Sequence, residues 1–418
     1  VKTLVIGTGG REHALALKLA QDAEVHAAPG NPGIGLIATL HDVDAMSGES
    51  IAALATELGA GLVVVGPEAP LVAGVADLVR AAGIPVFGPS REAAQLEGSK
   101  AFSKSVMAAA GVPTAGSRVC RTAEEVAAAL DEFGAPYVVK DDALAAGKGV
   151  VVTRDRDEAA AHAAACETVV IEEFLDGPEV SLFAVCDGER AYALQPAQDF
   201  KRIFDGGRGP NTGGMGSYTP LTWAQSDLAE VVIATVVEPT LAEMRRRGAP
   251  FVGCLYVGLA LTARGPKVIE FNCRFGDPDI QPVLAVLDSS LSALLHAAAT
   301  GALDSVPAPV FRDEAAVTVV LASAGYPESS SSGDVISGVE DAAATGADVI
   351  HAGTALDGDG RLVTAGGRVL AVRAGGADVA AARANAYAAA GLISFEGMQR
   401  RSDIAAEPLG VVEGASLR

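Results

Sequence analysis

Three short apolar runs, "TLVIG" (3–7), "LVVVG" (62–66) and "IPVFG" (84–88), each end in glycine and are separated by Ala/Leu-rich stretches of helical composition. Unbroken Val/Ile runs mark strands buried on both faces, as in the parallel sheets of α/β proteins. A glycine after each strand lets the chain turn at the carboxyl edge, where open α/β sheets hold their ligands. Residues 1–100 are therefore expected to form a parallel-sheet, Rossmann-like N-terminal domain.

The chain has 418 residues, too many for one core, so several domains are expected within an overall α/β, multi-domain α+β, architecture. A hydrophobic fraction of 50% with 20% charged residues suits a packed globular protein. The net charge of −21 speaks against a nucleic-acid or anionic-membrane surface, which needs clustered basic residues. The longest strongly apolar run, "FVGCLYVGLALTA" (251–263), is too short to span a bilayer. Five scattered cysteines without CxxC read as buried thiols, and "VKTLVIGTGGREH" does not read as a secretory signal. A cytoplasmic protein acting on small molecules, bound to neither nucleic acid nor membrane, is expected.

Further along, residues 120–186 read as a small separate unit. In it "TAEEVAAALDEFG" is a helix with a capping box from Thr122 to Glu125, and "PYVVK" and "GVVVT" flank a long hairpin tip. Residues 101–119 and 187–325 are assigned to a larger central domain, and the Ser-rich "GYPESSSSGD" (325–334) to a linker before a C-terminal domain at 326–418.

Five motifs carry chemistry. "GTGGREH" (7–13) begins a dinucleotide fingerprint but places Glu12 at the third glycine, and no acidic residue ends the second strand in "VHAAPG". NAD is thereby disfavoured, while Arg11 and the turn amides leave an anion site open. In "VVKDDALAAGKGVVVT" (138–153), Lys140 ends an apolar strand and Lys148 sits between two glycines, a pattern for phosphates that is not a Walker loop. A hairpin with surface lysines is the competing reading. "VVIEEFLDGPEVSLFAV" (169–185) supplies a strand end for an adenine edge, Phe174 and Leu175 as apolar walls, and Glu179 for a ribose hydroxyl. At least one of Glu172 and Glu173 is expected to be merely solvated.

The loop "QDFKRIFDGGRGPNTGGMGSYTP" (198–220) combines glycines with Lys201, Arg202 and Arg208, as an anionic substrate requires; a disordered loop is the alternative. In "KVIEFNCRFGDPD" (267–279), period-two alternation puts Glu270, Asn272 and Arg274 on one face. Glu270 and Asn272 are hard-oxygen ligands suited to Mg²⁺; an ion pair between Glu270 and Arg274 is the structural alternative.

Taken in order, "VIGTGGREHAL", "APGNPG", "VGPEAPLVAGVAD", "LEGSKAFSK", "LAAGKGV", "IEEFLDGPEVS", "GPNTGGMG", "VIEFNCRFGDP", "HAGT" and "GGRVL" resemble the glycinamide ribonucleotide synthetase family of ATP-grasp ligases from end to end. The resemblance implies an ATP-grasp lid and central domain and a small C-terminal mixed domain; a monomer or weak dimer is expected. It implies ligation of glycine to 5-phosphoribosylamine in purine biosynthesis, with ATP and Mg²⁺ (or Mn²⁺), through glycyl phosphate. By position, Lys104, Lys140 and Lys148 would face nucleotide phosphates, Glu172, Phe174, Leu175 and Glu179 would surround adenosine, and Glu270 and Asn272 would bind metal. Gly9, Gly10, Glu68, Asn211, Thr212 and Gly213 would line the phosphoribosylamine pocket, and Arg274, with Lys148, would act at the transferring phosphate.

The chain departs from the family pattern at Asp141 and Ala143 in the lid loop, in a short link between Cys166 and Thr168, and at Phe200, Asp279 and Ile280. The first group bears on lid closure and ATP; Phe200 and the Asp279–Ile280 pair are expected at substrate contacts. Two other classes stay open: a carboxylate–amine ligase with a different acceptor, and a non-catalytic nucleotide-binding protein on the same scaffold.

Overall fold

The computed structural model describes residues 1–142 and 149–406. Its N-terminal sheet has five parallel strands in the order Thr39–Leu40, Glu24–Pro29, Lys2–Gly7, Leu62–Val65, Val86–Phe87. Leu4, Val5, Ile6, Val63 and Val64 are fully buried, as strands covered on both faces must be. The loops after Gly7 and Val65 leave the carboxyl edge together and point toward the rest of the molecule.

The small unit is an antiparallel sheet in the order Ser117–Cys120, Val169–Glu172, Tyr137–Asp141, Val150–Thr153. Helices Ala123–Phe133 and Arg156–Ala164 cover it, the first closed by the expected capping box, with Glu125 N–H donating to Thr122 Oγ1 at 3.2 Å. It has a core of its own, built on Cys120, Leu130, Val139, Val169 and Ile171. The strand Glu179–Asp187, expected in this unit, pairs instead with Val252–Thr262 in the four-stranded central sheet. The small sheet therefore closes at Glu172, and not at 186. Because its core is separate, Leu130→Ala should cost about 2–5 kcal/mol locally. Hydrogen exchange should accelerate across Val169–Glu172 and stay unchanged across Lys2–Gly7.

The C-terminal sheet corrects a second boundary. Its order is Gln198–Asp199, Gly216–Thr219, Ala315–Ala322, Arg368–Gly376, Asp348–His351, so Ala315–Ala322 is its central strand. A division at 325 would separate that strand from its neighbour Arg368–Gly376. The Ser-rich stretch 325–334 runs within this unit, leading into the strand Ser332–Val335, and Asp334 N–H donates to Thr364 Oγ1 at 3.1 Å. "HAGT" forms a joint with the N-terminal domain. His351 N–H donates to His13 Nδ1 at 2.7 Å, while burial, with His351 and Arg373 nearby, pushes the His13 imidazole down to about 3 and keeps it a neutral acceptor. Among the described residues, no helix is long and apolar enough to cross a membrane.

Candidate active site

A cleft of about 580 Å³ opens where the small sheet, the central sheet and the carboxyl edge of the N-terminal sheet meet. At one end Lys104 and Lys140 share one carboxylate: Lys104 Nζ lies 3.1 Å from Glu172 Oε1 and Lys140 Nζ 2.9 Å from Glu172 Oε2. All three side chains are at least nine-tenths buried. Two ammonium groups against one carboxylate leave positive charge in a desolvated place, which suits an incoming anion. Burial lowers the Lys104 ammonium from its ordinary range, an effect that Glu172 opposes and Lys140 reinforces.

The neighbouring strand Gly265–Asn272 is not regular. Gly258 faces Glu270 and Leu259 faces Val268, so Ile269 is an extra residue, a β-bulge. The bulge lets Val268 and Phe271 both enter the core, and it frees the Ile269 carbonyl, which accepts from Lys140 Nζ at 3.1 Å. Glu270 and Asn272 remain two residues apart beyond it, both half-buried and both lining the cleft. Gly258 gives Glu270 its room, because a Cβ there would stand 3.3 Å from Glu270 Cγ. Arg274 lies past the strand end and does not pair with Glu270. Its Nε donates to Glu68 Oε2 at 3.2 Å, its Nη2 to Glu97 Oε1 at 3.0 Å and its Nη1 to the Phe275 carbonyl at 3.2 Å. Burial works against the charge, but Glu97 and Glu68 hold the guanidinium above its ordinary value. Three of its five N–H groups are thus engaged, leaving one on each terminal nitrogen.

The floor is acidic. Burial pushes Asp199 up to about 7, helped by Asp279, Glu179 and Glu270 and opposed by Lys201. Lys201 Nζ pairs with Glu179 Oε2 at 2.7 Å and holds that carboxyl below its usual range. Glu270 has no hydrogen bond or ion pair among the described residues, although it feels Lys100 and Lys201. Nor, among the described residues, do three His, Cys, Asp or Glu side chains converge there as a ready metal cage. One carboxylate and one amide oxygen over an acidic floor nevertheless fit Mg²⁺, which takes few protein ligands and completes its shell with water and phosphate.

Asn211, Thr212 and Gly213 form a further stretch of the cleft wall. Arg368 braces it from the C-terminal unit, its Nη1 donating to the Gly213 and Asp277 carbonyls at 2.7 Å each and its Nη2 lying 3.2 Å from Asp277 Oδ2.

The chain matches the family descriptions "Phosphoribosylglycinamide synthetase" N domain over residues 1–97, ATP-grasp (A) domain over 98–280 and C domain over 316–407. The chain belongs to the phosphoribosylglycinamide synthetase family. It is 62% identical to a phosphoribosylamine–glycine ligase of Streptomyces coelicolor, over 98% of this chain and all of that one. A crystal structure of the phosphoribosylamine–glycine ligase of Thermotoga maritima superposes with a TM-score of 0.86 at 34% identity, covering 97% of this chain and all of that one. The biotin carboxylase domain of Hydrogenobacter thermophilus 2-oxoglutarate carboxylase, crystallised with MgADP, ADP and bicarbonate, shares the fold alone. Its TM-score is 0.70 at 18% identity, over 96% of this chain and 91% of that one. The activity of this family is ATP-dependent ligation of glycine to phosphoribosylamine.

Within that family frame, the cleft gathers Lys104, Lys140, Glu172, Phe174, Leu175, Glu179, Glu68, Asn211, Thr212, Gly213, Glu270, Asn272 and Arg274. Glu173 is the more solvated of its pair, bridging Arg264 at 3.2 Å on the surface. Lys148 and Ala143 lie outside the described residues.

Other expectations are corrected. Gly9 and Gly10 stand behind the lining; a Cβ on Gly10 would meet Gln281 Nε2 at 2.9 Å and Asp277 Oδ1 at 3.3 Å. The first turn is no open anion cradle either, because Glu12 fills it: Gly9 N–H donates to Glu12 Oε2 at 2.6 Å, and Arg11 Nε to Glu12 Oε1 at 2.6 Å. Phe200 is no substrate contact but a buried ring beneath the Arg401 guanidinium, 5.0 Å away. Ile280 is core as well. Glu97, Lys100, Asp199 and Arg368 line the cleft without having been singled out. "LEGSK" and "GGRVL" carried three of them, yet nothing in their spacing says that they converge.

Proposed function

We propose that this cleft joins glycine to 5-phosphoribosylamine by way of an acyl phosphate, with the following division of labour. The observation that carries the reading is the buried Lys104–Glu172–Lys140 triplet beside Glu270 and Asn272 in one cleft. The triplet offers net positive charge to nucleotide phosphates, and Lys148 joins it by resemblance. Phe174 and Leu175 offer apolar walls to adenine. The Glu172 carboxylate is already held by two lysines, so its part in the adenosine site falls to its backbone. Glu179, kept ionised by Lys201, turns its second oxygen to a ribose hydroxyl.

Glu270 and Asn272 would hold Mg²⁺ or Mn²⁺. When bound there, the ion neutralises charge that develops on the phosphates. Arg274, fixed by Glu68 and Glu97, presents its two remaining N–H groups to the transferring phosphate. A glycine carboxylate oxygen attacks the γ-phosphorus and ADP leaves. The amine of phosphoribosylamine then attacks the carbonyl carbon, loses a proton, and phosphate departs with the oxygen that came from glycine. Asn211, Thr212, Gly213 and Glu68 hold the acceptor, with Gly9 and Gly10 shaping the pocket from behind. Holding the amine at the acyl carbon makes capture a question of proximity, and a dry cleft protects the acyl phosphate until then.

The five free cysteines and the acidic surface suit a cytoplasmic enzyme of small molecules. The reaction path is tested with glycine labelled with ¹⁸O in its carboxylate. One labelled oxygen per turnover is expected in the released phosphate; unlabelled phosphate would contradict the acyl phosphate. Hydrogen exchange across 141–150 should also slow when a non-hydrolysable ATP analogue is bound. Unchanged exchange there would count against a lid.

A further inference from the structure

We propose that residues 401–404 form a clamp that sets the acceptor-binding hairpin, with Arg401 and Asp403 as positioning residues. This rests on the reading, given above, that the 201–213 stretch holds phosphoribosylamine. Within that stretch, strands Arg202–Phe204 and Arg208–Asn211 pair, among the described residues, only with each other. A two-stranded ribbon is marginal on its own, and its tip carries Gly206 and Gly207 at positive φ, with Gly209 likewise in the second strand. Its base nevertheless places Lys201, Arg202, Asn211 and Thr212 in the cleft. Something outside the ribbon must fix it.

The clamp does so from behind. Arg401 is fully buried and forks onto Asp403, Nε to Oδ1 at 2.7 Å and Nη2 to Oδ2 at 2.7 Å. Its Nη1 donates to the Arg202 carbonyl at 3.3 Å, and its guanidinium lies over the Phe200 ring at 5.0 Å. Asp403 Oδ2 also accepts from Gly206 N–H at 2.8 Å, at the hairpin tip. Ser402 N–H donates to Asp205 Oδ1 at 2.7 Å, and its hydroxyl donates to the other oxygen of Asp205. The segment is itself tied to the helix Val379–Ala390: Tyr387 O–H donates to the Arg401 carbonyl at 2.8 Å and Arg383 Nε to the Ile404 carbonyl at 2.9 Å. A rigid element thus reaches the cleft wall through four residues. A buried guanidinium is tolerated only when paired, and here the pairing joins both ends of the hairpin to one segment.

The test uses the full chain with Asp403→Asn, which keeps shape and removes charge, and Asp205→Ala, which releases the clamp from the partly exposed hairpin side. Asn211→Ala serves as the direct probe of the acceptor wall. Both clamp variants should raise the KM for phosphoribosylamine roughly ten- to a hundred-fold, since small displacements of positioning groups carry such losses. The KM values for ATP and glycine should stay within about two-fold, and hydrogen exchange should accelerate across 203–211. If Asn211→Ala raises the acceptor KM while neither clamp variant does, the clamp is wrong and the acceptor reading stands. Should none of the three move it, the acceptor reading fails and the clamp with it. Parallel losses for all three substrates, tracking a fall in Tm, would make the segment merely structural and overturn the proposal.

Discussion

Glu270→Gln is expected to cut ADP formation by at least about 10²–10³-fold, the scale of losing one preorganised electrostatic contact to a transition state. Glutamine keeps the volume beside Gly258 and removes the charge. Glu270 has no hydrogen-bond or ion-pair partner among the described residues, so its loss breaks no network. Tm should therefore hardly move. The informative readout is the metal dependence: the variant should need far more Mg²⁺ to reach half of its residual rate. Turnover close to that of the unaltered chain at saturating Mg²⁺ would remove Glu270 from the metal site.

Lys140→Met should act on two properties at once. Methionine keeps an unbranched aliphatic side chain, and the ammonium between Glu172 Oε2 and the Ile269 carbonyl disappears. A buried carboxylate then retains one lysine of two, and truncating one partner of a buried pair costs about 3–5 kcal/mol. The phosphate end of the cleft also loses half of its paired cations, so kcat/KM for ATP should fall by about 10²–10³-fold. KM for glycine should change much less. Denaturant titration and steady-state kinetics on one preparation separate the two effects. An unchanged KM for ATP together with lowered stability would make the triplet a structural ion network.

The parallel strands were legible because both faces of "TLVIG" and "LVVVG" are buried, leaving no alternation to confuse with a helix. Glu270 and Asn272 were legible as a pair because a residue and its second neighbour share a face wherever the strand stays regular, as it does beyond the bulge. Ile269 was not, since a bulge depends on the partner strand and on Lys140, which lies 129 positions away. Arg274 lines the cleft, and its partners Glu68 and Glu97 come from another domain, which no spacing along the chain reveals. Arg368 and Asp277 likewise pair across 91 positions of the chain.

Phe200 misled for a related reason. Among glycines and basic residues it reads as part of a binding loop, whereas its ring is covered by an arginine 201 positions later in the chain. The Ser-rich stretch 325–334 carries the composition of a linker, and composition cannot say that both strands beside it belong to one unit.

The central claim is that activation of glycine and capture by phosphoribosylamine occur in one cleft that holds all three substrates. The most direct measurement is ADP release with each substrate omitted in turn, and with phosphoribosylamine replaced by amines lacking the phosphate. ADP should appear only when glycine and 5-phosphoribosylamine are present together, with little ATPase activity from either alone. Vigorous ATP hydrolysis with glycine alone, or a preference for a non-phosphorylated amine, would contradict the account and point to a carboxylate–amine ligase with another acceptor.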